Sequence, residues 1–323
     1  MAVIGIDLGG TKISGAIFDE IGNMLTKTVH LLEGKKGKEV GKLVATTIDE
    51  LLHSFHMDIA EVEALGICVP GIADSKTGLV WAPNIEGWEN YPLQKEIEDH
   101  IANPKTVVSV ASDRTCYILG ETWKGKAKGC RNAMFIAVGT GIGIGMLIDG
   151  NIVHGHGDIV GAAGWMALET PYFDEYERYG CLESYASGDG IGRQARKLVK
   201  EGLLFRESML YNLTLAKITA KDVFEAYGRG DSLAKFIVGK AITRWSRAAA
   251  NLVSLLNPEV IIWGGGVFGP AAQLLDRIYT EAGRWAQPIA IQQVRFCKSE
   301  LEGEAGLYGA GHLALLSLQP PKY

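Results

Sequence analysis

Apolar residues 3–6 give way to Asp7, Gly9, Gly10, Thr11 and Lys12, and the apolar pattern returns over Ile13–Phe18. An acidic reverse turn, Asp19 to Gly22, follows. This pattern predicts strand, Gly turn, strand, reverse turn and strand. Residues 134–153, MFIAVGTGIGIGMLIDGNIV, repeat it, with Gly139-Thr140-Gly141 as the first turn and Asp149-Gly150 as the second. The runs EALGICVPG and TVVSVASD predict buried strands in the first half, and EVIIWGGGVFG one in the second. Leu233, Phe236, Ile237, Ile242 and Trp245 recur at helical spacing and predict a helix over Asp231–Leu256, stopped by Asn257-Pro258. A further helix is expected to start near Pro270. Two α/β halves that open on the same hairpin predict a duplicated fold with a cleft between the halves.

The chain has 323 residues, which favours two domains, and 47% of them are apolar, ample for large cores. The net charge of −5 offers no electrostatic footprint for nucleic acid or an anionic membrane. Lys35, Lys36, Lys38 and Lys42 are interleaved with Glu33 and Glu39 and read as a solvated loop or helix face. The start carries no basic leader and Asp7 interrupts its apolar run, so a cytoplasmic protein is expected. The uncharged stretch Asn132–Ile148 is shorter than the about 20 residues of a spanning helix and is rich in glycine, so strand–turn–strand fits it. The five cysteines (Cys68, Cys116, Cys130, Cys181, Cys297) have no CxxC spacing and read as free thiols. Asn212-Leu213-Thr214 matches a glycosylation pattern that has no meaning in a protein that is not secreted.

The Gly turns carry the first candidate chemistry. Gly9 and Gly10 let backbone N–H groups approach phosphate oxygens with no Cβ in the way. Thr11 can donate a hydroxyl hydrogen bond and Lys12 can neutralise charge. Asp7 can hold Mg²⁺ through water, since Mg²⁺ keeps part of its hydration shell. Gly139-Thr140-Gly141 is a second turn of this kind. Either alone reads equally well as a tight hairpin turn, but two in an internal repeat favour nucleotide phosphates. Neither the Walker spacing nor GxGxxG is present. Gly264-Gly265-Gly266 either hold an adenosine ring and ribose flat or form a crowded strand-to-helix corner. In VASDRTCYILGE, Asp113 falls at a strand's C-terminal end, where α/β folds place ligands, unless Ser112 or Asp113 merely caps the helix. VPGIADSKTGLVWAPNIEGWENYPL, with Asn84 and two tryptophans, reads as a polyol-binding loop or as a surface excursion with core tryptophans.

Taken in order, DLGGTK, VPG with APNIEGW, SDRTCYILGE, AVGTGIGIGMLIDG, GCLES and VIIWGGG resemble the ROK family of sugar kinases and repressors. That family has the duplicated actin-like ATPase and hexokinase (ribonuclease H-like) fold, and the resemblance runs from Asp7 to the helix around Gly306–Leu316. It implies a small domain of residues 1–115 plus 305–323, a large domain of 116–304, and ATP and Mg²⁺ between them. It implies that Asp113 is the base for a sugar hydroxyl and that Asn84 and Glu183 contact the sugar. It places Pro70, Gly71, Ser112 and Trp165 at the same site, and it implies a homodimer.

The chain departs from the family at three places. Ser112 stands where family kinases have Asn. Gly164-Trp165-Met166-Ala167-Leu168 stands where they read Gly-Glu-Ile-Gly-His. Asp174 and Tyr176 occupy two zinc-cysteine positions and only Cys181 remains, so no structural zinc is expected. Packing of Trp165, Met166, Leu168, Tyr172, Phe173 and Tyr176 is expected to hold this segment instead. His154 and His156 read as loop residues. An ATP-dependent sugar kinase leads, with a substrate other than plain glucose expected. The alternative is a catalytically silent or sugar-sensing relative. A repressor is disfavoured, because those members carry an N-terminal helix-turn-helix and this chain starts at the first strand.

Overall fold

The computed structural model describes residues 2–202 and 205–319. Its contacts divide the chain into two compact units. The first runs to Gly129 and takes in Ile152–Val160 and the chain from Gly303 on; the second comprises Cys130–Asn151 and Gly161–Glu302.

Strands β1 (Ala2–Leu8), β2 (Lys12–Asp19), β3 (Met24–Leu31) and β4 (Val62–Val69) belong to the first unit, as do the short β5 (Ile72–Ala73), β6 (Val80–Trp81) and β7 (Glu89–Tyr91) and then β8 (Val107–Ser112). One sheet has the order β3-β2-β1-β4-β8, antiparallel through β1–β3 and parallel through β1, β4 and β8. β5, β6 and β7 make a small second sheet. The period of two along β1 sorts its side chains between two faces. Ile4 and Ile6 pack with Val44, Ile48 and Leu51 of the helix Lys38–Phe55. Val3 and Gly5 face the C-terminal helix Ala305–Ser317. A Cβ on Gly5 would lie 2.7 Å from Gly311 N, so the strand meets that helix backbone to backbone. Asp7 falls on this same face.

The expected domain boundary at residue 115 falls inside the helix Asp113–Lys124. That helix lies against the C-terminal helix so closely that no side chain fits at Gly120 or Gly309, and the first unit therefore continues to Gly129.

The second unit repeats the plan. Strands β9 (Ala133–Val138), β10 (Ile142–Ile148), β11 (Asn151–Ile152), β12 (Val260–Gly264) and β13 (Arg295–Lys298) lie in the order β11-β10-β9-β12-β13. Counted within each five-stranded sheet, the two orders are identical, as the repeated hairpin predicted. The helix Ser232–Leu256 carries the core through Leu233, Ile237, Ile242 and Trp245. Asp231 caps its start by accepting from Ala234 N–H at 2.9 Å. Asn257, in the left-handed conformation with φ 41°, ends it. The helix expected near Pro270 starts as a 3₁₀ turn, Pro270–Leu274, and continues as Leu275–Ala282.

Candidate functional site

In the first unit the β1–β2 turn is closed by Gly9 N–H donating to Lys12 O at 2.9 Å. Leu32 N–H donates to Thr11 O, also at 2.9 Å, and fixes the turn to the end of β3. The side chains of Thr11 and Lys12 are exposed. A Cβ at Gly10 would meet nothing within 4 Å, so the turn's outer backbone is open.

Asp7, next to last in β1, accepts from the Cys68 thiol. Burial pushes its pKa up, while that hydrogen bond and the Lys12 and Lys27 charges pull it down. A Cβ at Gly306 would lie 2.8 Å from the carboxylate carbon and from both oxygens, so the carboxylate rests in a cradle only glycine leaves free. One carboxylate beside a phosphate-type turn suits Mg²⁺ held through water, and these residues fit that ion. Among the described residues, no group of three or more His, Cys, Asp or Glu gathers as a metal-ligand set.

Ser112 caps the helix that starts at Asp113, accepting from Thr115 N–H at 3.4 Å. Asp113 instead takes Arg114 N–H on Oδ1 at 2.7 Å. Burial raises its pKa from the ordinary 3.8 to about 6, against the pull of the Arg114 charge and hydrogen bond, and the Asp7 charge adds to the rise. A carboxylate so tuned accepts a proton near neutral pH. Arg114 Nη2 reaches 3.5 Å from Gly71 O and links Asp113 to the Pro70-Gly71 turn. Gly71 has φ 141°, and a Cβ there would collide with the Trp81 carbonyl. Asn84 stands exposed on the turn between Ala82 and Trp88. The two tryptophans of this loop separate. Trp88 is core: it stacks on Tyr91 at 4.4 Å and donates Nε1–H to Gly37 O at 3.0 Å. Trp81 is 44% exposed and is the one with a face open to a ligand.

In the second unit the turn Gly139–Gly141 borders a cavity of about 950 Å³, large enough for a nucleoside. Gly139, Thr140 and Gly266 line it with Arg196, Thr219, Lys221 and Phe224. The glycine triplet divides between the two readings of it. A Cβ at Gly264 would run into the Phe135 ring, and Gly265, at φ 86°, abuts the Val138 backbone. These two form the crowded corner, and Gly266 opens on the cavity. Sequence reasoning missed Arg196, Thr219, Lys221 and Phe224. They come from two helices, Gly188–Glu201 and Ala220–Gly228 with its N-cap Thr219, and their only signal was the Gly-rich helix start Gly188-Asp189-Gly190 that faces the turn.

Glu183 accepts Ile142 N–H on Oε2 at 2.8 Å. Its carboxylate fills the space that side chains at Gly141 and Gly164 would need. Burial raises its pKa, opposed by this hydrogen bond and by the Arg193 charge. Trp165 follows Gly164 on a 3₁₀ turn and is 56% exposed, so it does not join the expected apolar cluster. Met166 and Leu168 do pack on the core. In the segment that follows, Tyr176 is the centre. Tyr172 and Phe173 meet its ring edge-on at 5.8 and 5.5 Å. Its hydroxyl donates to Glu169 at 3.2 Å, and Glu169 pairs with Arg244, which lies over the Tyr185 ring. His154 pairs with Asp158 at 3.1 Å in an exposed loop.

Two sheets of one strand order, each opening on a hairpin with a phosphate-type turn, define an actin-like ATPase fold. The chain belongs to the ROK family, which it matches over residues 3–316. It is 32% identical to a glucokinase of Halalkalibacterium halodurans, over 96% of this chain and 94% of that one. It is 30% identical to a glucokinase of Thermotoga maritima, over 97% of each. A ROK family glucokinase from Streptomyces griseus, solved in complex with glucose and AMPPNP, superposes with a TM-score of 0.77 at 26% identity, covering 98% of this chain and all of that one.

Proposed function

We propose that Asp113 takes the proton from a sugar hydroxyl as that hydroxyl receives the γ-phosphoryl group of ATP. The chain is an ATP-dependent sugar kinase. In this reading the adenosine occupies the cavity bordered by Phe224 and Gly266, and the phosphates meet the Gly139–Gly141 and Gly9–Lys12 turns. Mg²⁺, carried with ATP, would be held through water by Asp7 and would neutralise phosphate charge. Pro70, Gly71, Asn84, Trp165 and Glu183 contact the sugar. Phosphoryl transfer rests on positioning and charge more than on covalent chemistry, and a carboxylate at the attacking hydroxyl serves both. The observation that carries the reading is Asp113 itself, a buried carboxylate tuned to about 6 at the C-terminal end of a parallel strand.

The preferred sugar, in this reading, is not plain glucose. Trp165 presents an exposed flat face and one N–H donor where family kinases present a carboxylate. One hydrogen bond to a charged group contributes about 1.5–3 kcal/mol, so its loss weakens glucose by roughly tenfold to more than a hundredfold. An indole face favours a ring with fewer hydroxyls there, or one bearing an acyl group. ATP consumption across hexoses, amino sugars, N-acyl sugars and polyols tests this. Glucose as best substrate with a sub-millimolar KM would contradict it. Sugar binding without ATP consumption would instead make the protein a sugar sensor.

Among the described residues no helix is long and apolar enough to cross a membrane. We place the protein in the cytoplasm on its five free thiols. We also read it as a homodimer. Exposed Leu255, Trp285 and Ile289 in the second unit are apolar surface of the kind a second copy would cover. Light scattering tests the dimer.

A further inference from the structure

The Gly139–Gly141 turn has little of its own to hold it. One internal hydrogen bond closes it, from Gly139 N–H to Gly141 O at 3.0 Å. A Cβ at Gly139 would meet nothing within 4 Å, and Thr140 is exposed. Its shape comes from outside, from the segment 183–189. Gly188 N–H donates to Gly139 O at 2.7 Å, and Asp189 N–H to Thr140 O at 3.4 Å. The third tie comes from a side chain, with Glu183 Oε2 accepting Ile142 N–H at 2.8 Å.

That third tie is unlike the others. Gly188 and Asp189 offer backbone donors. Glu183 offers a carboxylate, buried enough to raise its pKa, packed where no side chain fits at Gly141 or Gly164. A charge-assisted hydrogen bond in such a place is short, strong and directional. The same oxygen would lie 2.6 Å from a Cβ at Gly164, on the backbone that leads into Trp165. One carboxyl group therefore touches both the turn assigned to phosphate and the wall assigned to sugar.

We infer that Glu183 is a positioning residue for the Gly139–Gly141 phosphate turn, fixing the backbone that meets ATP through Ile142 N–H. This rests on the reading of that turn as a nucleotide site. It adds a consequence that a sugar contact alone does not carry: removing the Glu183 carboxylate weakens nucleotide binding when no sugar is present. A preformed backbone binds more tightly than one that must be ordered on binding.

The test is calorimetric titration of the full chain with Mg-AMPPNP, free of sugar, for wild type, Glu183→Ala and Glu183→Gln. Gln keeps an oxygen that can accept Ile142 N–H; Ala does not. The expected result is a Kd about tenfold or more higher for Glu183→Ala, with Glu183→Gln within about threefold of wild type. Wild-type affinity in Glu183→Ala overturns the inference alone, and so does an equal loss in both variants, which would mean charge rather than position. A wild-type protein that binds no AMPPNP overturns the nucleotide reading and the inference with it. If Glu183→Ala fails to fold, Glu183→Asp replaces it. Its charge is kept but its arm is one methylene too short for Ile142, so the same loss is expected and wild-type affinity again overturns the inference.

Discussion

The Asp7 carboxylate lies against Gly306, at whose Cα a methyl group would sit 2.8 Å from both carboxylate oxygens. The first strand and the last helix of the chain thus meet at the residue assigned to Mg²⁺. Gly306→Ala must push the carboxylate off its seat or shift the helix. Overpacking of this kind costs about 1–3 kcal/mol of stability. The specific expectation is a raised Mg²⁺ requirement at saturating ATP and sugar, several-fold or more, read by titrating activity with Mg²⁺. A lowered melting temperature with an unchanged Mg²⁺ requirement would mean that Gly306 serves packing only.

Gly10 is the opposite case. A side chain there meets nothing, and its backbone needs no positive φ. Gly10→Val is therefore expected to fold with a melting temperature close to wild type and to lose ATP binding, because its branched side chain occupies the space where phosphate oxygens would approach. Unchanged ATP affinity by calorimetry would remove the turn from the site.

The contrast between these glycines marks how far the sequence can be read. The two hairpins were legible because their signal is local: an apolar run, a Gly turn and a reverse turn within about twenty residues. The helix Ser232–Leu256 was legible for the same reason, through its spacing and its Asn257-Pro258 stop. The Gly306 cradle was not, since nothing near Gly306 names a partner almost three hundred residues away. Lys221 and Phe224 belong to no motif, and only folding turns them toward Gly266. Trp81 and Trp88 share a loop, and sequence could not say which one the core takes. Trp88 is taken because Gly37 O offers its N–H a partner and Tyr91 offers a stacking face.

The raised pKa of Asp113 has consequences for both activity and stability. Its folded value of about 6 exceeds the ordinary 3.8, so the folded state favours the protonated carboxyl. The stabilisation this gives is complete below 3.8 and is lost as pH rises through about 6. Catalysis needs the ionised form, so kcat/KM is expected to rise with pH through an inflection near 6. Asp113→Asn cannot ionise, and above that pH it is expected to be more stable than wild type. Equal stability of the two proteins from pH 4 to 8 would contradict the assignment.

Tyr176 holds the segment in which family members bind zinc. Elemental analysis after purification without added metal is expected to find no stoichiometric zinc, and EDTA is expected to leave the melting temperature unchanged. Tyr176→Phe gives up the hydrogen bond to Glu169 and is expected to cost about 0.5–1.5 kcal/mol. Tyr176→Ala also empties the aromatic centre, at about 3–5 kcal/mol. Urea denaturation reads both. One tightly held zinc per chain would end this account of the segment.

In the proposed reaction Asp113 takes the proton from the sugar hydroxyl. Single-turnover transfer of the γ-phosphoryl group from ATP to the best sugar of the substrate panel, in wild type and Asp113→Asn, tests it most directly. The expected rate is lower by about 10²-fold or more in the variant, the range of general-base catalysis, with ATP and sugar still bound. A variant that transfers phosphate at close to the wild-type rate would contradict it and leave Asp113 as no more than the first residue of a helix.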